Sequence, residues 1–191
     1  LEVAVYSLYG QRPVTRNIPM DVIGYVKVGG QTFKAFGNTT LSVIPNAPEI
    51  EAAYYLTGSI NGWNNSDTTY KLTNDGTDPY VNPTFKVRIP AAENGGNIEF
   101  KMTPESGLGG DWSGCLSAGD EDGKFAYKNA GGNLVIVGDP DALYYDLTFH
   151  MLDQTWTATP VGFNDYIYEI GNESGWSEPH PLHGNGLGQY S

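Results

Sequence analysis

A nine-residue segment of this chain recurs further along it, and such a repeat restricts the fold to a series of similar modules. Tyr55-Leu-Thr-Gly-Ser-Ile-Asn-Gly-Trp63 returns as Tyr168-Glu-Ile-Gly-Asn-Glu-Ser-Gly-Trp176, with the Tyr, both glycines and the Trp identical and displaced by the same 113 positions. A period of this length is typical of tandem sandwich domains of about 100 residues. We therefore predict a complete module over residues 49–161 and the start of a second, truncated copy over residues 162–191.

The complete module has the pattern of a set of short strands. Apolar and polar residues alternate over residues 84–89, 98–102 and 145–151, so that every second side chain faces a core. The apolar run 134–137 predicts a central strand, and 154–159 predicts the strand that ends the module. Turns rich in Gly, Asn, Asp and Pro separate these segments, and we predict no helix, because no stretch has a sustained 3.6-residue period. The predicted fold class is all-β, made of tandem immunoglobulin-like β-sandwiches.

A Pro45-Asn-Ala-Pro48 linker separates the first 48 residues from this module. Leu1, Val3 and Val5 alternate with Glu and Ala, which predicts an initial strand. Gly29-Gly30 lies between two alternating runs and predicts a tight hairpin turn, and residues 40–44 predict a further strand. Since an immunoglobulin-type sandwich needs about 100 residues, we expect residues 1–48 to be the C-terminal part of such a domain.

The charge and the cysteine content exclude several classes of partner and cofactor. The net charge is −12, with 22 acidic and 10 basic residues, whereas nucleic acids and anionic membranes require clustered Lys and Arg. A neutral partner such as an uncharged polysaccharide is compatible with this charge. Cys115 is the single cysteine, so we expect a buried thiol, no intramolecular disulfide and no Cys/His metal cluster. We also expect no cofactor. The chain begins at Leu1 without an initiator Met, and we expect a mature chain or a fragment of a longer protein.

Two tryptophans lie outside the strand pattern and are candidates for binding. Trp63 follows an Asn-Gly turn at a strand end, and Trp112 lies in the glycine-rich loop 109–114. An exposed indole can cover the apolar C–H face of a sugar ring while the sugar hydroxyls stay hydrogen-bonded. The alternative for Trp63 is a side chain that packs under a neighbouring loop, and for Trp112 it is a side chain that anchors and caps its own loop. Trp156 lies within a predicted strand instead, and we expect it in the core.

Polar candidates lie near these tryptophans in sequence. Lys101 is predicted to point outward from its strand, and Lys128 and Asn133 belong to the loop before the apolar run 134–137. Lys and Asn side chains can hydrogen-bond vicinal sugar hydroxyls. For each of the three, a solvated surface residue is an equally good interpretation.

Signals of catalysis are weak, and we predict that the protein is not an enzyme. A glycosidase needs two carboxyl groups on either side of the scissile bond, whereas Asp120, Glu121 and Asp122 form one acidic turn without apolar surroundings. The three histidines at 150, 180 and 183 lack a recognisable zinc spacing. We therefore predict no catalytic and no metal-binding residues.

These residues together resemble the modules of SusE and SusF, the outer-membrane starch-binding lipoproteins of the starch utilisation system. The similarity rests on Tyr54–Asn64, Ile98–Met102, Trp112 and Gly132–Ile136, and an immunoglobulin-like domain followed by tandem binding modules is also the layout of that family. The order of these elements is similar, too, to the glycogen-binding domain of AMP-activated kinase β subunits. One departure is the insertion Thr103–Asp111, which separates Lys101 from Trp112.

The resemblance implies a site and a function. In such modules two aromatic side chains form a curved platform, and Lys and Asn side chains bind the O2 and O3 hydroxyls. The implied platform is Trp63 and Trp112, with Lys101 as the leading basic contact, Lys128 and Asn133 as secondary contacts, and Trp176 as the contact of the second module.

The implied function is non-catalytic capture of starch or a related α-glucan at the surface of a Gram-negative cell. The implied location is the extracellular face of the outer membrane, where a lipid anchor outside this chain would hold the protein. The implied partners are other outer-membrane components of polysaccharide uptake. The alternative is a structural or adhesive surface module whose aromatic side chains pack between domains. The two functions differ in whether Trp63 and Trp112 lie exposed on the same side of the module.

Overall fold

The computed structural model describes residues 2–162, 166–172, 175–176 and 180–184. The chain forms two compact units, Leu1–Ile50 and Glu51–Ser191, and each is described by itself. Leu1, the first residue of the predicted initial strand, lies outside the described residues, as do the positions between and beyond these ranges.

The first unit begins with a helix, and here the prediction of an initial strand was wrong. Helix α1 spans Glu2–Tyr9. Glu2 lies in its first turn, where the helix dipole favours a carboxylate, and the Tyr6 hydroxyl donates a 2.6 Å hydrogen bond to Glu2 Oε1 across one turn. The Gly10 N–H donates to the Tyr6 carbonyl and closes the C-terminus. Val5 is the one residue of the helix that is buried, so the apolar alternation of residues 1–5 contributes little burial. The local interactions therefore outweigh it and favour the helix.

The rest of the first unit is a long β-hairpin. The predicted turn at Gly29-Gly30 is confirmed, but the separate strand predicted over residues 40–44 was wrong, because residues 40–43 continue the second strand of the hairpin. Strand β1 (Arg16–Val28) pairs antiparallel with β2 (Gln31–Val43), with Val28 opposite Gln31. Gly29 and Gly30 have φ of 56° and 85°, which side chains disfavour, so the turn requires this glycine pair. Large apolar side chains are exposed on both faces of the hairpin, among them Val22, Ile23, Tyr25, Val26 and Phe36.

The second unit is a β-sandwich. Its strands are β3 (Tyr54–Gly58), β4 (Lys71–Leu72), β5 (Thr84–Pro90), β6 (Ile98–Pro104), β7 (Ser117–Ala118), β8 (Phe125–Ala126), β9 (Leu134–Ile136), β10 (Tyr144–His150) and β11 (Thr155–Val161). One antiparallel sheet has the order β4–β3–β6–β9, another has the order β11–β10–β5, and β7 pairs with β8. Beyond these strands, β12 (Tyr166–Glu169) pairs with β13 (His180–His183). The predicted all-β fold is confirmed, with α1 as the exception.

The core lies between the four-stranded and the three-stranded sheet. The alternation predicted for three strands is confirmed except at Val87 on β5, which is half-buried. The buried residues are Phe85 and Ile89 on β5, Ile98, Phe100 and Met102 on β6, and Tyr145, Leu147 and Phe149 on β10. Edge-to-face ring contacts connect the sheets, with centroids 5.5 Å apart for Tyr54–Phe85 and 6.3 Å for Phe100–Phe149.

One strand lies elsewhere in its sheet than predicted. Strand β9 was expected to be central, but among the described strands it pairs with β6 alone and forms an edge of the four-stranded sheet. Its outward residue Val135 is 43% exposed, and the following Val137 is 77% exposed. The prediction was wrong because a continuous apolar run need not be buried on both faces. In β9, Leu134 and Ile136 face the core and Val135 faces outward.

Candidate functional site

Trp63 stands at the end of β3 in an unusual backbone conformation. A 3₁₀ turn over Ser59–Asn61 follows the strand, and Gly62 and Trp63 have φ of 64° and 61°. Positive φ is a strained conformation for a bulky aromatic residue, and it persists only where the surroundings fix it. The fixing contact is the Trp63 N–H, which donates a 2.8 Å hydrogen bond to the Gly58 carbonyl.

Asn61 and Gly58 hold the turn that carries Trp63. The Gly58 N–H donates to Asn61 Oδ1 over 2.9 Å, and Asn61 Nδ2 donates to the Leu56 carbonyl over 3.2 Å. A Cβ on Gly58 would lie 2.2 Å from the Glu99 carbonyl oxygen of the neighbouring strand β6, so no larger residue fits. The Asn-Gly turn was recognised in the sequence, but these two roles were not.

Trp112 stands on a second 3₁₀ turn, Trp112–Gly114. The Asp111 carboxylate accepts hydrogen bonds from the Ser113 N–H, over 2.9 Å, and from the Ser113 hydroxyl, which caps the turn. The side-chain hydrogen bond from Ser113, followed by the backbone bond, lowers the pKa of Asp111 below its ordinary value. The Cys115 N–H donates to the Trp112 carbonyl over 3.1 Å and closes the turn at its other end.

The insertion Thr103–Asp111 places Trp112 beside Trp63. It is anchored at Ser106, whose N–H donates to Glu51 Oε2 over 2.9 Å and whose hydroxyl donates to Glu51 Oε1. Further along, the Gly109 N–H donates to the Asn65 carbonyl over 3.1 Å, and Asn65 Nδ2 donates to the Gly110 carbonyl over 2.7 Å. Asn65 is a positioning residue that sequence reasoning missed, since nothing in a run of Asn and Ser residues distinguishes it.

The two indoles form a pair. Their ring centroids are 6.1 Å apart with an interplanar angle of 67°, so the rings meet edge to face and enclose a corner. Both side chains are half-buried. Neither indole N–H has a hydrogen-bond partner among the described residues. Of the buried side-chain nitrogen and oxygen atoms there, only Arg16 Nε lacks a partner, so the two indole nitrogens are not buried and both N–H groups reach solvent. The pair thus offers apolar ring surface together with two free donors.

Lys101 lies close to the Trp112 turn, but its ammonium group is already hydrogen-bonded. It donates to Asn129 Oδ1 and to the carbonyl oxygens of Gly131, over 3.2 Å, and Gly132, over 3.3 Å. On the same face of β6, Thr103 is buried and its Oγ1 lies 3.6 Å from Cys115 Sγ. Burial raises the pKa of the Cys115 thiol, and the predicted buried cysteine is confirmed. A direct contact of Lys101 with a ligand stays a prediction.

The remaining candidates lie on the loop before β9. Lys128 is exposed, with φ of 61°. Asn133 donates through Nδ2 to Glu99 Oε2 over 2.8 Å, and it lines a separate cleft of ≈ 300 Å³ together with Trp156 and the acidic turn 120–122. The structure therefore groups Asn133 with Trp156, and Lys128 with the segment that binds Lys101.

Trp156 is half-buried at the edge of the core. Its ring is stacked on Phe149, with centroids 6.0 Å apart and 12° between the planes, and meets the edge of Phe100 at 5.5 Å. The expected packing against the core is present, while part of the indole lines the cleft. Asp120, Glu121 and Asp122 are all exposed, as a solvated turn would be.

The sequence repeat at Trp176 has the same turn conformation as the one at Trp63. Trp176 has φ of 62°, and its N–H donates a 3.0 Å hydrogen bond to Gly171, as Trp63 does to Gly58. Strands β12 and β13 pair as β3 and β4 do, with Ile167 opposite Leu182 where the first copy has Tyr54 opposite Leu72. Trp176 is 69% exposed, and its Nε1 donates to Asn172 Oδ1 over 2.7 Å.

No group of three or more His, Cys, Asp or Glu side chains in the described ranges is placed to hold a metal ion. Among those same ranges, no helix has the length and apolar character needed to cross a membrane.

Comparison with known proteins identifies the second unit. The family model described as SusF, first starch-specific carbohydrate-binding module, matches residues 49–160, which contain both tryptophans of the pair. Comparison with curated proteins gives no match, and comparison with solved structures gives none either. The resemblance to SusE and SusF inferred from the sequence is thereby confirmed. The match covers more than half of the chain, which therefore belongs to the family of the first starch-specific carbohydrate-binding module of SusF.

Proposed function

We propose that this protein captures starch or a related α-glucan without cleaving it, and that the pair of Trp63 and Trp112 is the contact surface. The observation that carries the proposal is the pairing itself. Two tryptophans 49 positions apart in sequence lie with ring centroids 6.1 Å apart, on loops whose hydrogen bonds serve to hold them there. The family to which the chain belongs supports the choice of ligand.

The chemistry of the pair suits a sugar. The C–H faces of a pyranose ring are apolar and can cover an indole, while the indole N–H groups, which reach solvent, can donate to ring or hydroxyl oxygens. Rings inclined at 67° form a corner, and a chain that curves between successive sugars can touch both walls. A flat, straight glucan would contact one wall only.

The carboxyl groups give this proposal further support. An acid catalyst of glycoside hydrolysis needs a raised pKa. Within the described residues, every carboxyl group whose pKa is displaced has a lowered pKa, and a side-chain hydrogen bond is the chief cause in each case. The pairs are Thr69 with Asp67, Thr77 with Asp75, Ser113 with Asp111, and Arg88 with Asp146. These groups stay ionised at neutral pH, and ionised carboxylates suit hydrogen-bond acceptance rather than proton donation.

The proposal extends to the whole chain. Residues 1–48 are the C-terminal part of an immunoglobulin-like domain, residues 49–161 a complete module, and residues 162–191 the start of a second module that binds through Trp176. The matching conformations of Trp63 and Trp176 support this division. We place the protein on the extracellular face of the outer membrane as a lipid-anchored protein, where it passes glucan to other uptake components.

A polysaccharide panel tests the proposal. Electrophoresis of the protein in gels that contain amylopectin, glycogen, a β-linked glucan or no polysaccharide should show retardation by the two α-glucans alone. Incubation with amylopectin should release no reducing ends. Equal mobility in every gel would support the structural or adhesive alternative, and release of reducing ends would identify an enzyme.

A further inference from the structure

The ammonium group of Lys101 is enclosed by residues 128–132, a segment that we call the arm. It donates to Asn129 Oδ1 and to the backbone carbonyl oxygens of Gly131 and Gly132, at 3.2 Å and 3.3 Å for the two carbonyls. An ammonium group has three N–H donors and no acceptor. The arm therefore offers three acceptors to the three donors of Lys101, and a sugar hydroxyl would compete with the arm for this group.

The arm has a backbone that needs such support. Lys128 and Asn129 have φ of 61° and 51°, and two successive non-glycine residues in the left-handed region are unfavourable on their own. Further bonds fix the arm from the β7 side, since the Gly131 N–H donates to Ser117 Oγ over 2.8 Å. A Cβ on Gly131 would lie 2.1 Å from the Ala118 carbonyl oxygen, so the arm packs directly against this strand.

The arm is also bonded to the turn that carries Trp112. The Asn129 N–H donates a 2.6 Å hydrogen bond to the Cys115 carbonyl, and the Cys115 N–H donates in turn to the Trp112 carbonyl over 3.1 Å. A continuous series of hydrogen bonds thus connects the Lys101 ammonium to the backbone of Trp112. Because Lys101 stands on the rigid strand β6, it can fix this series to the sheet.

We propose that Lys101 is a positioning residue: it binds the arm through Asn129 and so holds Trp112 in place. Its effect on glycan affinity rests on the proposed function, whereas its effect on the arm does not. The two parts can therefore fail separately.

A double-mutant cycle distinguishes positioning from direct contact. Asn129→Gly keeps the left-handed backbone and removes Oδ1, while Asn129→Asp keeps an acceptor oxygen for the ammonium. For a linear α-glucan in calorimetric titration, Lys101→Ala and Asn129→Gly should each lower affinity about tenfold, and the double variant should lose about tenfold rather than a hundredfold. Asn129→Asp should bind within about twofold of the unmodified protein. Lys86→Ala, on the exposed face of β5, is the matched control.

The opposite pattern would overturn the inference. If Lys101 contacts the glycan directly, Asn129→Gly frees its ammonium group and leaves affinity unchanged or raised, and the losses in the double variant follow Lys101→Ala alone. The two Asn129 variants keep the test decisive even if Lys101→Ala fails to fold.

A measurement without glycan tests the structural part. Amide hydrogen exchange of Asn129 and Gly131 should accelerate about tenfold or more in Lys101→Ala, and the Trp112 indole N–H resonance should shift, while Lys86→Ala changes neither. Unchanged exchange and an unchanged Trp112 resonance in Lys101→Ala would refute the positioning role. If the unmodified protein binds no glucan, the proposed function fails, and these two readouts still decide whether Lys101 holds the arm.

Discussion

The side-chain amide of Asn65 donates a 2.7 Å hydrogen bond to the carbonyl oxygen of Gly110, and this bond joins the loop that carries Trp63 to the loop that carries Trp112. The backbone of Asn65 adds a second link, because its carbonyl accepts a 3.1 Å hydrogen bond from the Gly109 N–H. Neither loop is part of a sheet at this point. The relative position of the two indoles therefore depends on these bonds as well as on the contact between the rings.

Replacement of Asn65 by Ala should loosen the pair without unfolding the module. It removes one of the two links, and the loss of a single hydrogen bond of this kind costs about 1 kcal/mol. Glucan affinity in calorimetric titration should fall about fivefold, because the indoles are less well positioned. Asn74→Ala is a suitable control, since the Asn74 side chain bonds within its own turn, to the Thr77 carbonyl and the Gly76 N–H. Equal affinities for the two variants would show that Asn65 does not position the pair.

Trp63→Ala and Trp112→Ala should each abolish most binding while the fold is kept. Truncation of a central aromatic anchor costs about 2 kcal/mol or more, which corresponds to roughly a thirtyfold loss of affinity. Both side chains are half-buried and lie on loops, so thermal melts should change little. Titrations with a linear and a cyclic α-glucan, alongside melts, provide the measurement. If both variants bind as the unmodified protein does, the glycan site lies elsewhere.

The sequence predicted those parts of the protein that depend on local pattern. Alternating residues placed Phe85, Phe100 and Phe149 in the core correctly, and Gly29-Gly30 placed the hairpin turn. These predictions succeed because the period of a strand and the positive φ of a tight turn are properties of a few neighbouring residues. The initial helix was missed because a short apolar alternation is compatible with both states, and contacts such as Tyr6 to Glu2 decided between them.

The site was predictable only in part. Trp63 and Trp112 stood out because each lies beside turn or loop residues and outside the strand pattern that supplies the core. The structure brings the two side chains together. The partners of Lys101 were not predictable, since Asn129 and Gly131 are 28 and 30 positions away in sequence and reach it through the tertiary fold. For the same reason the grouping of Asn133 with Trp156 followed only from the structure.

Trp156→Ala should destabilise the sandwich and affect binding only through stability. The indole stacks on Phe149 and meets the edge of Phe100, so its removal leaves a gap at the end of the core. Full truncation of a buried Trp costs about 3–5 kcal/mol, and for a half-buried one we expect about 2–3 kcal/mol. Trp156→Phe should recover most of this loss. Chemical denaturation measures the effect, and a stability equal to that of the unmodified protein would show that the ring contacts contribute little.

Glucan binding should be insensitive to pH until the Asp111 carboxylate becomes protonated. Hydrogen bonds from Ser113 lower the pKa of Asp111 below its ordinary value of 3.8. A group with a depressed folded-state pKa stabilises its turn above the unfolded pKa, and this contribution is lost as the pH falls through the folded pKa. Affinity should therefore stay constant from neutral pH down to about pH 4 and fall below it, as the turn that carries Trp112 loses its cap.

Asp111→Asn separates this effect from general acid unfolding, to which other carboxylates with lowered pKa, such as Asp75 and Asp146, also contribute. Asn caps a turn about as well as Asp and does not titrate, so this variant should match the unmodified protein at neutral pH and retain more of its affinity below about pH 4. Asp111→Ala should bind more weakly at every pH. Titrations are compared at each pH with circular dichroism, which reports whether the sandwich is still folded. Identical pH profiles for Asp111→Asn and the unmodified protein, with both folded, would exclude the capping carboxylate as the cause.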